Sequence, residues 1–486
     1  MAWAWGRSRG GRLWYGRERR WRAPLVCRTT LAIAAIAPPV AAQPVAPQPV
    51  APRAYTLDEA VAEALATHPR LAEARANRES ADARIGEART LLVPDLGLSA
   101  EANRSTGNTP SGAFFLAPGF VPISGAPRGK TLDSGVWQTG GSVYAAWDVL
   151  SISRQAAAVD VALANRAQAT ATIDAQRLEI AYQAADAFFL TLEAEAAVRA
   201  VAANVQRAEV VVAATKPLVV QNLRPGVDEA RAEADLANAQ TQLARAEQAR
   251  EVRHAELAEA LGHAGSRVDV VPGPLFGPVD DLRPTIAREV ALHPQVIEAS
   301  AAASRVAETR RLVDVEYLPR LNLVAALWIR GSGFLDSPGS GLIPDIPNWA
   351  AGAVVSWSIL DIARIRERAR VVEADYKAAV ARRDEVVLAV SGQLSRATAM
   401  VEGASRVAQQ TPPALASAKA AEQQALARYQ SGLAPVVDVA DAERVLAQAE
   451  IDDAVARLEV RRALLLLARA SGDLGPFLAQ SRSGWE

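Results

Sequence analysis

Thr67-His68-Pro69 and, 225 residues further on, Leu292-His293-Pro294 open a series of matches that decides the fold. At the same offset, Val93-Pro94-Asp95-Leu96-Gly97-Leu98 aligns with Leu318-Pro319-Arg320-Leu321-Asn322-Leu323. Beyond them the offset is 210. Trp147-Asp148-Val149-Leu150 meets Trp357-Ser358-Ile359-Leu360, Asp228 meets Asp438, and Gly262 meets Gly472. An offset held over such a length marks an internal duplication. The step from 225 to 210 removes 15 residues from the second copy between Pro319 and Trp357. Each copy reads helix, strand, variable loop, strand, long helix, turn, helix. The copies span 55–262 and 284–472. A linker at 43–54 precedes them, a Gly- and Pro-rich link at 263–283 joins them, and a tail at 473–486 follows.

The first helix opens on Thr56-Leu57-Asp58-Glu59, a capping box with Glu three residues after Thr. It is expected to run to about Leu92, where Pro94 stops it. Its counterpart is expected from near Asp281 to just before Pro319. From Ile152 to about Asn222 the pattern is helical for roughly 70 residues, or about 105 Å. Such a helix needs partners along its length, as in a coiled coil or a barrel of helices. Pro217 is expected to kink it, and Thr411-Pro412-Pro413 to interrupt its counterpart. The returning helices carry stripes of small and apolar residues: Ala232, Leu236, Ala239, Leu243 and Ala246, then Ala442, Leu446, Ala449, Ala456, Val460, Ala463 and Leu467. Arg250 and Asp453 break these stripes.

After Pro94 and Pro319 the period changes to two. Leu96, Leu98, Ala100 and Ala102 alternate with Asp95, Ser99, Glu101 and Asn103. Leu321, Leu323, Ala325, Leu327 and Ile329 alternate with Arg320, Asn322 and Arg330. The returning strands put Trp137, Val143, Ala145, Trp147 and Val149, then Trp349, Ala351, Ala353, Val355 and Trp357, on one face. Period two means strand, and about ten residues is the length of a tilted membrane strand. Trp137, Trp147, Trp328, Trp349 and Trp357 all fall in or beside these segments, as aromatic girdles would require. A soluble four-stranded sandwich is the alternative. If the strands span a membrane, four cannot do so alone, because their edges leave backbone groups unpaired in lipid. Closure takes about eight strands, so more than one copy of the chain must contribute. The Gly-, Pro- and Ser-rich segments at about 105–135 and 331–348 read as outer loops; Phe114, Phe115 and Phe120 lie in the first.

The helices reverse at Leu223-Arg224-Pro225-Gly226-Val227-Asp228 and at Gln430-Ser431-Gly432-Leu433-Ala434-Pro435. Gly and Pro permit such turns. Asp438 and Asp441, three apart, share a helix face. Asp228 and Asp438 either cap the helices they begin or, in a symmetric oligomer, ring an opening and steer cations.

The first 42 residues hold eight arginines against the single acid Glu18, then the apolar stretch Leu31–Ala37 and Val40-Ala41-Ala42. That is the layout of a secretory signal peptide, and the stretch is too short to span a membrane. Its removal leaves 45 basic and 53 acidic side chains of the 53 and 54 in the whole chain, a net charge of about −8. An acidic mature protein is a poor nucleic-acid binder. Cys27, the one cysteine, lies inside the signal, where Pro24-Leu25-Val26 matches a lipidation site poorly.

Taken together, these residues resemble the TolC-like outer-membrane efflux family from about Tyr55 to Gly472. The resemblance is carried by Thr56-Leu57-Asp58-Glu59-Ala60 with His68-Pro69, by the strand starts at Pro94 and Pro319, and by Arg428-Tyr429-x-x-Gly432 followed by Val437-Asp438-Val439 and Asp441. It implies a mainly α fold with a small β part, and a homotrimer whose twelve strands form one outer-membrane barrel continued by a periplasmic α-helical barrel. It implies a passive duct for efflux or type I secretion that meets a periplasmic adaptor and an inner-membrane transporter. It also implies a gate at the periplasmic tip, with Asp438 and Asp441 as ring carboxylates and Tyr429 and Asp228 as latch partners. Arg224, Pro225, Gly226, Gly432, Leu433 and Pro435 form the tips. Where the best-known members carry a gate arginine this chain has Ala434, and Arg224 is the substitute the sequence offers. No cofactor and no metal are implied. Two rival classes remain. An enzyme lacks support: there is no nucleophile motif or phosphate loop, His68 and His293 precede prolines as helix-end residues, and His254 and His263 are nine apart, not a metal pair. A periplasmic coiled-coil scaffold or adaptor without a barrel is the second.

Overall fold

The computed structural model describes residues 53–91, 93–106, 135–221, 225–276, 289–332, 342–344, 346–357 and 359–482. The signal segment with Cys27, the three loop phenylalanines, the helix start expected near Asp281, and Arg224 lie outside them.

The chain opens with a short strand β1 (Arg53–Tyr55) and helix α1 (Leu57–Thr67). The capping box forms: Glu59 N–H donates to Thr56 Oγ1 at 3.4 Å, and Thr56 N–H donates to Glu59 Oε2 at 3.0 Å. The single helix expected from Thr56 to Leu92 is instead two. α1 stops at Thr67 and α2 (Pro69–Thr90) starts afresh, because Pro69 fixes the first helical φ and has no N–H to leave unsatisfied. His68 caps the new helix, its Nδ1 accepting from Arg70 N–H at 3.2 Å. The second copy repeats the device. His293 Nδ1 accepts from Gln295 N–H at 3.2 Å at the start of its first helix, which begins at Pro294.

Strands β2 (Asp95–Thr106) and β3 (Gly135–Asp148) follow, then the long helix α3 (Ile152–Val220) and the returning helix α4 (Gly226–Ala260). Strand β4 (Val268–Val270) lies in the link, and the second copy comprises α5 (Pro294–Asp314), β5 (Arg320–Ser332), β6 (Ile346–Ser356), α6 (Asp361–Gln430) and α7 (Val436–Ser471), followed by α8 (Gly475–Arg482) in the tail. The long strands form one antiparallel sheet in the order β2-β3-β5-β6.

Three segments read as linker or tail are part of the core. β1 pairs in parallel with β4, from Arg53 opposite Val268 to Tyr55 opposite Val270. Leu275 is buried beside them, and Phe477 of α8 packs its ring 6.2 Å from that of Phe189. Phe188, Phe189, Leu192, Leu257, Leu261 and Leu465 are completely buried in the same core. Truncating either phenylalanine to alanine there costs about 3–5 kcal/mol.

The stripes of the returning helices do what their spacing predicts. Ala232, Ala239, Leu446, Ala456, Val460 and Ala463 are buried, and Leu236 and Leu243 pack with Ala239 onto Val205 and Ala208 of α3. Thr411-Pro412-Pro413 does not interrupt α6, which runs on to Gln430. Pro412 leaves the Ala408 carbonyl without its usual N–H. The Thr411 hydroxyl lies 3.5 Å from that carbonyl and 3.0 Å from Asp453 Oδ1 on α7. Asp453, which broke the stripe in the sequence, is thus a buried brace across the proline step, held in turn by Arg457 at 2.7 Å.

The duplication is also visible as contact. Gly262 and Gly472 end α4 and α7 at φ of 77° and 84°. Each closes a Schellman motif: His263 N–H reaches Ala258 O at 2.8 Å, and Asp473 N–H reaches Ala468 O at 3.2 Å. Each also lies against the His-Pro turn of its own copy. A Cβ on Gly472 would come 2.9 Å from Pro294, and one on Gly262 would come 3.1 Å from Thr67.

Candidate functional site

Two regions carry the candidate residues, the sheet at one end of the long helices and the two turns at the other. In the sheet, register puts Leu98 opposite Val143, Val143 opposite Leu327, and Leu327 opposite Trp349. These four are 83%, 44%, 65% and 75% exposed, an apolar row across every strand. One residue along, Ser99, Ser142, Trp328 and Asn348 form the matching row on the other face, where the Ser99 and Ser142 hydroxyls bond at 2.6 Å. Trp147 is on the exposed apolar face, Trp137 shares it by strand parity with Arg104 5.8 Å over its ring, and Trp357 lies just past β6. Trp328 departs from the girdle reading: period two puts it on the face opposite Leu327. β2 and β6 are the sheet edges, with no strand beyond them among the described residues.

The turns are alike in backbone and unlike in burial. Pro225 and Pro435 precede α4 and α7 in extended conformation, and Asp228 and Asp438 N–H groups bond the two proline carbonyls at 3.0 and 3.2 Å. Each aspartate sits in the first turn, where the helix dipole favours negative charge. Asp228 is nonetheless buried, and Asp438 and Asp441 are exposed. Asp441 has Arg444 at 3.4 Å. The second turn closes through Gly432 at φ 74°, with Leu433 N–H on Arg428 O at 2.8 Å. Leu433 is 72% exposed at the apex, and Ala434 is buried, so no cation stands at that position.

Behind the apex, Tyr429, Val436 and Val439 pack with Val211 and Ala232. The Tyr429 hydroxyl meets Thr215 Oγ1 at 2.9 Å, and Thr215 also reaches Val211 O at 2.8 Å. Thr215 has one proton, and the carbonyl can only accept it, so Tyr429 is the donor in the pair. The bond links α3 of the first copy to α6 of the second. Sequence reading named Tyr429 and missed Thr215, because a completely buried threonine inside a long helix leaves no periodic trace.

The histidines are structural. Burial holds His68 and His293 below the usual imidazole range. His293 accepts at Nδ1 and meets Arg469 O at 3.2 Å through Nε2, which requires the neutral ring. His254 Nδ1 is 2.6 Å from Val268 O, and His263 Nε2 is 2.8 Å from Glu63.

The outer membrane efflux protein family model matches residues 60–263 and 286–473. The chain belongs to the outer membrane efflux protein family. That membership makes it an outer-membrane transport protein. Solved channels share the fold. CusC superposes with a TM-score of 0.71 at 15% identity, over 86% of this chain and 92% of that one. The CmeC outer membrane channel of Campylobacter jejuni superposes at 0.70 and 15%, over 88% and 89%. VceC of Vibrio cholerae superposes at 0.67 and 21%, over 86% and 96%. No curated protein sequence matches the chain.

Proposed function

We propose that three copies of this efflux protein form one exit duct through the outer membrane of a Gram-negative bacterium, continued across the periplasm by the helical hairpins and narrowed at the turns. The observation that carries this reading is the exposed row Leu98, Val143, Leu327 and Trp349, backed by the polar row of Ser99, Ser142 and Asn348. A sheet between lipid and a water-filled lumen needs that division. Lipid does not tolerate the unpaired edges of β2 and β6, and three copies supply twelve strands to close them. Trp137, Trp147, Trp349 and Trp357 then stand in the lipid girdles and Trp328 faces the lumen. A periplasmic scaffold without a barrel leaves the apolar row unexplained.

At the other end the exposed Asp438 and Asp441 repeat around the axis as an acidic ring that draws cations. The Tyr429–Thr215 bond and buried Asp228 hold each turn in place. The hairpins meet a periplasmic adaptor and, through it, an inner-membrane transporter that supplies energy and selects cargo for efflux or secretion. In a planar bilayer, Asp438→Asn with Asp441→Asn is expected to weaken block by divalent or trivalent cations added at the periplasmic side roughly tenfold. Unchanged block removes the ring from the account and leaves the duct.

A further inference from the structure

Near the turns, the two hairpins of one chain border a cavity of about 1400 Å3. Glu443 of α7, Asp235 of α4 and Asn204 of α3 line it. Glu443 is only 8% exposed and makes no hydrogen bond or ion pair with any described residue. The cation that acts on it, Arg207 of α3, is committed to Glu450 at 3.0 Å. Burial pushes the Glu443 carboxyl up to about 7; Arg207 opposes the rise, and Glu422 of α6 and Asp235 add to it. Asn204 Oδ1, on the same lining, is also buried and accepts no hydrogen bond from a described residue. Asn204 Oδ1 is therefore a fully buried acceptor without a donor, and the unpaired Glu443 carboxylate opens on the same cavity, an arrangement folded proteins avoid unless something fills it.

The missing group must donate, and the carboxylates of Glu443, Asp235 and Glu422, on three helices, favour a positive charge. Among the described residues no three His, Cys, Asp or Glu are placed to hold a metal ion. An ammonium head offers three donors on a compact centre. Ala208, Ala239 and Ala418 provide a small apolar lining for a carbon stem. Arg245, Arg406 and Arg444 also line the cavity; Arg444 is paired with Asp441 at 3.4 Å, and the other two, farther from the turns, oppose a second positive charge there.

We propose that this cavity binds a primary organic amine, its ammonium head donating to Glu443 and Asn204 and its stem lying along Ala239 and Ala418. The site lies in the wall between the hairpins and goes beyond the tip ring: Asp441 borders both, but Asp438 is not part of the cavity lining.

The test is calorimetric titration of the purified full-length oligomer in detergent with butylamine at pH 8. Saturable binding is expected. Glu443→Gln, close in shape, is expected to weaken it at least tenfold, Asn204→Ala several-fold, and Asp438→Asn not at all. Lowering the pH to 6 should weaken it as Glu443 takes up its proton. Tetramethylammonium, which has the charge and no N–H, should bind far more weakly. No saturable binding, equal binding by Glu443→Gln, or equal binding of tetramethylammonium overturns the proposal, and the last two would mean that only a diffuse negative field is present. Because cation block of conductance is read separately, loss of this site and loss of the tip ring are distinguishable.

Discussion

Gly472 and Gly432 hold nearly the same left-handed backbone, at φ of 84° and 74°, in different surroundings. A methyl group on Gly432 meets nothing within 4 Å, whereas one on Gly472 comes 2.9 Å from Pro294 and 3.0 Å from His293. Gly432→Ala is expected to cost about 1 kcal/mol of backbone strain. Gly472→Ala is expected to cost roughly 2–4 kcal/mol, strain plus overpacking. Thermal unfolding followed by circular dichroism separates them, and equal melting points would contradict the close approach of helix end and His-Pro turn. This contact was legible as a repeat before it was visible as a contact: Gly262 and Gly472 matched, and so did the two His-Pro steps. The burial of Asp228 against the exposure of Asp438 was not legible, since equivalent residues in a duplication read alike and only packing tells them apart.

Among the elements, the sheet and the long helices make separate predictions. Leu98 and Ser99 are neighbours on opposite faces of β2. Leu98→Arg is expected to impair assembly into the outer membrane by roughly 2–4 kcal/mol, as for a cation near the middle of the bilayer. Ser99→Arg loses one hydroxyl bond and costs about 1 kcal/mol. Folding titrations in lipid vesicles compare the two, and an equal or reversed order would assign the faces wrongly. In the helices, burial above all pushes Glu443 and Glu193 up to about 7 from 4.5. Both bind protons more tightly folded than unfolded, so the stability they contribute is present below about pH 4.5 and is lost as pH rises through 7. Glu443→Gln is expected to flatten that part of the profile and to melt higher than wild type at pH 8. An unchanged profile would mean that the carboxyl is not desolvated. Helix and strand existence followed from period and length. The short elements did not: three residues of β1 carry no pattern, and their strand character comes from β4, more than two hundred positions away. The prolines of α6 misled for a related reason, because the brace from Asp453 is a tertiary contact.

At the scale of the whole molecule, one chain exposes an apolar face and two sheet edges at one end and acidic side chains at the other. In the proposed duct, symmetry joins these, with lipid outside the strands and cations drawn to the ring. The most direct measurement of that claim is single-channel conductance of the purified oligomer in a planar bilayer, with trivalent cations added at the periplasmic side. Stable, discrete openings that the cations block from that side only are expected. A well-folded oligomer that never inserts, or one whose current the cations leave unchanged from both sides, would contradict it.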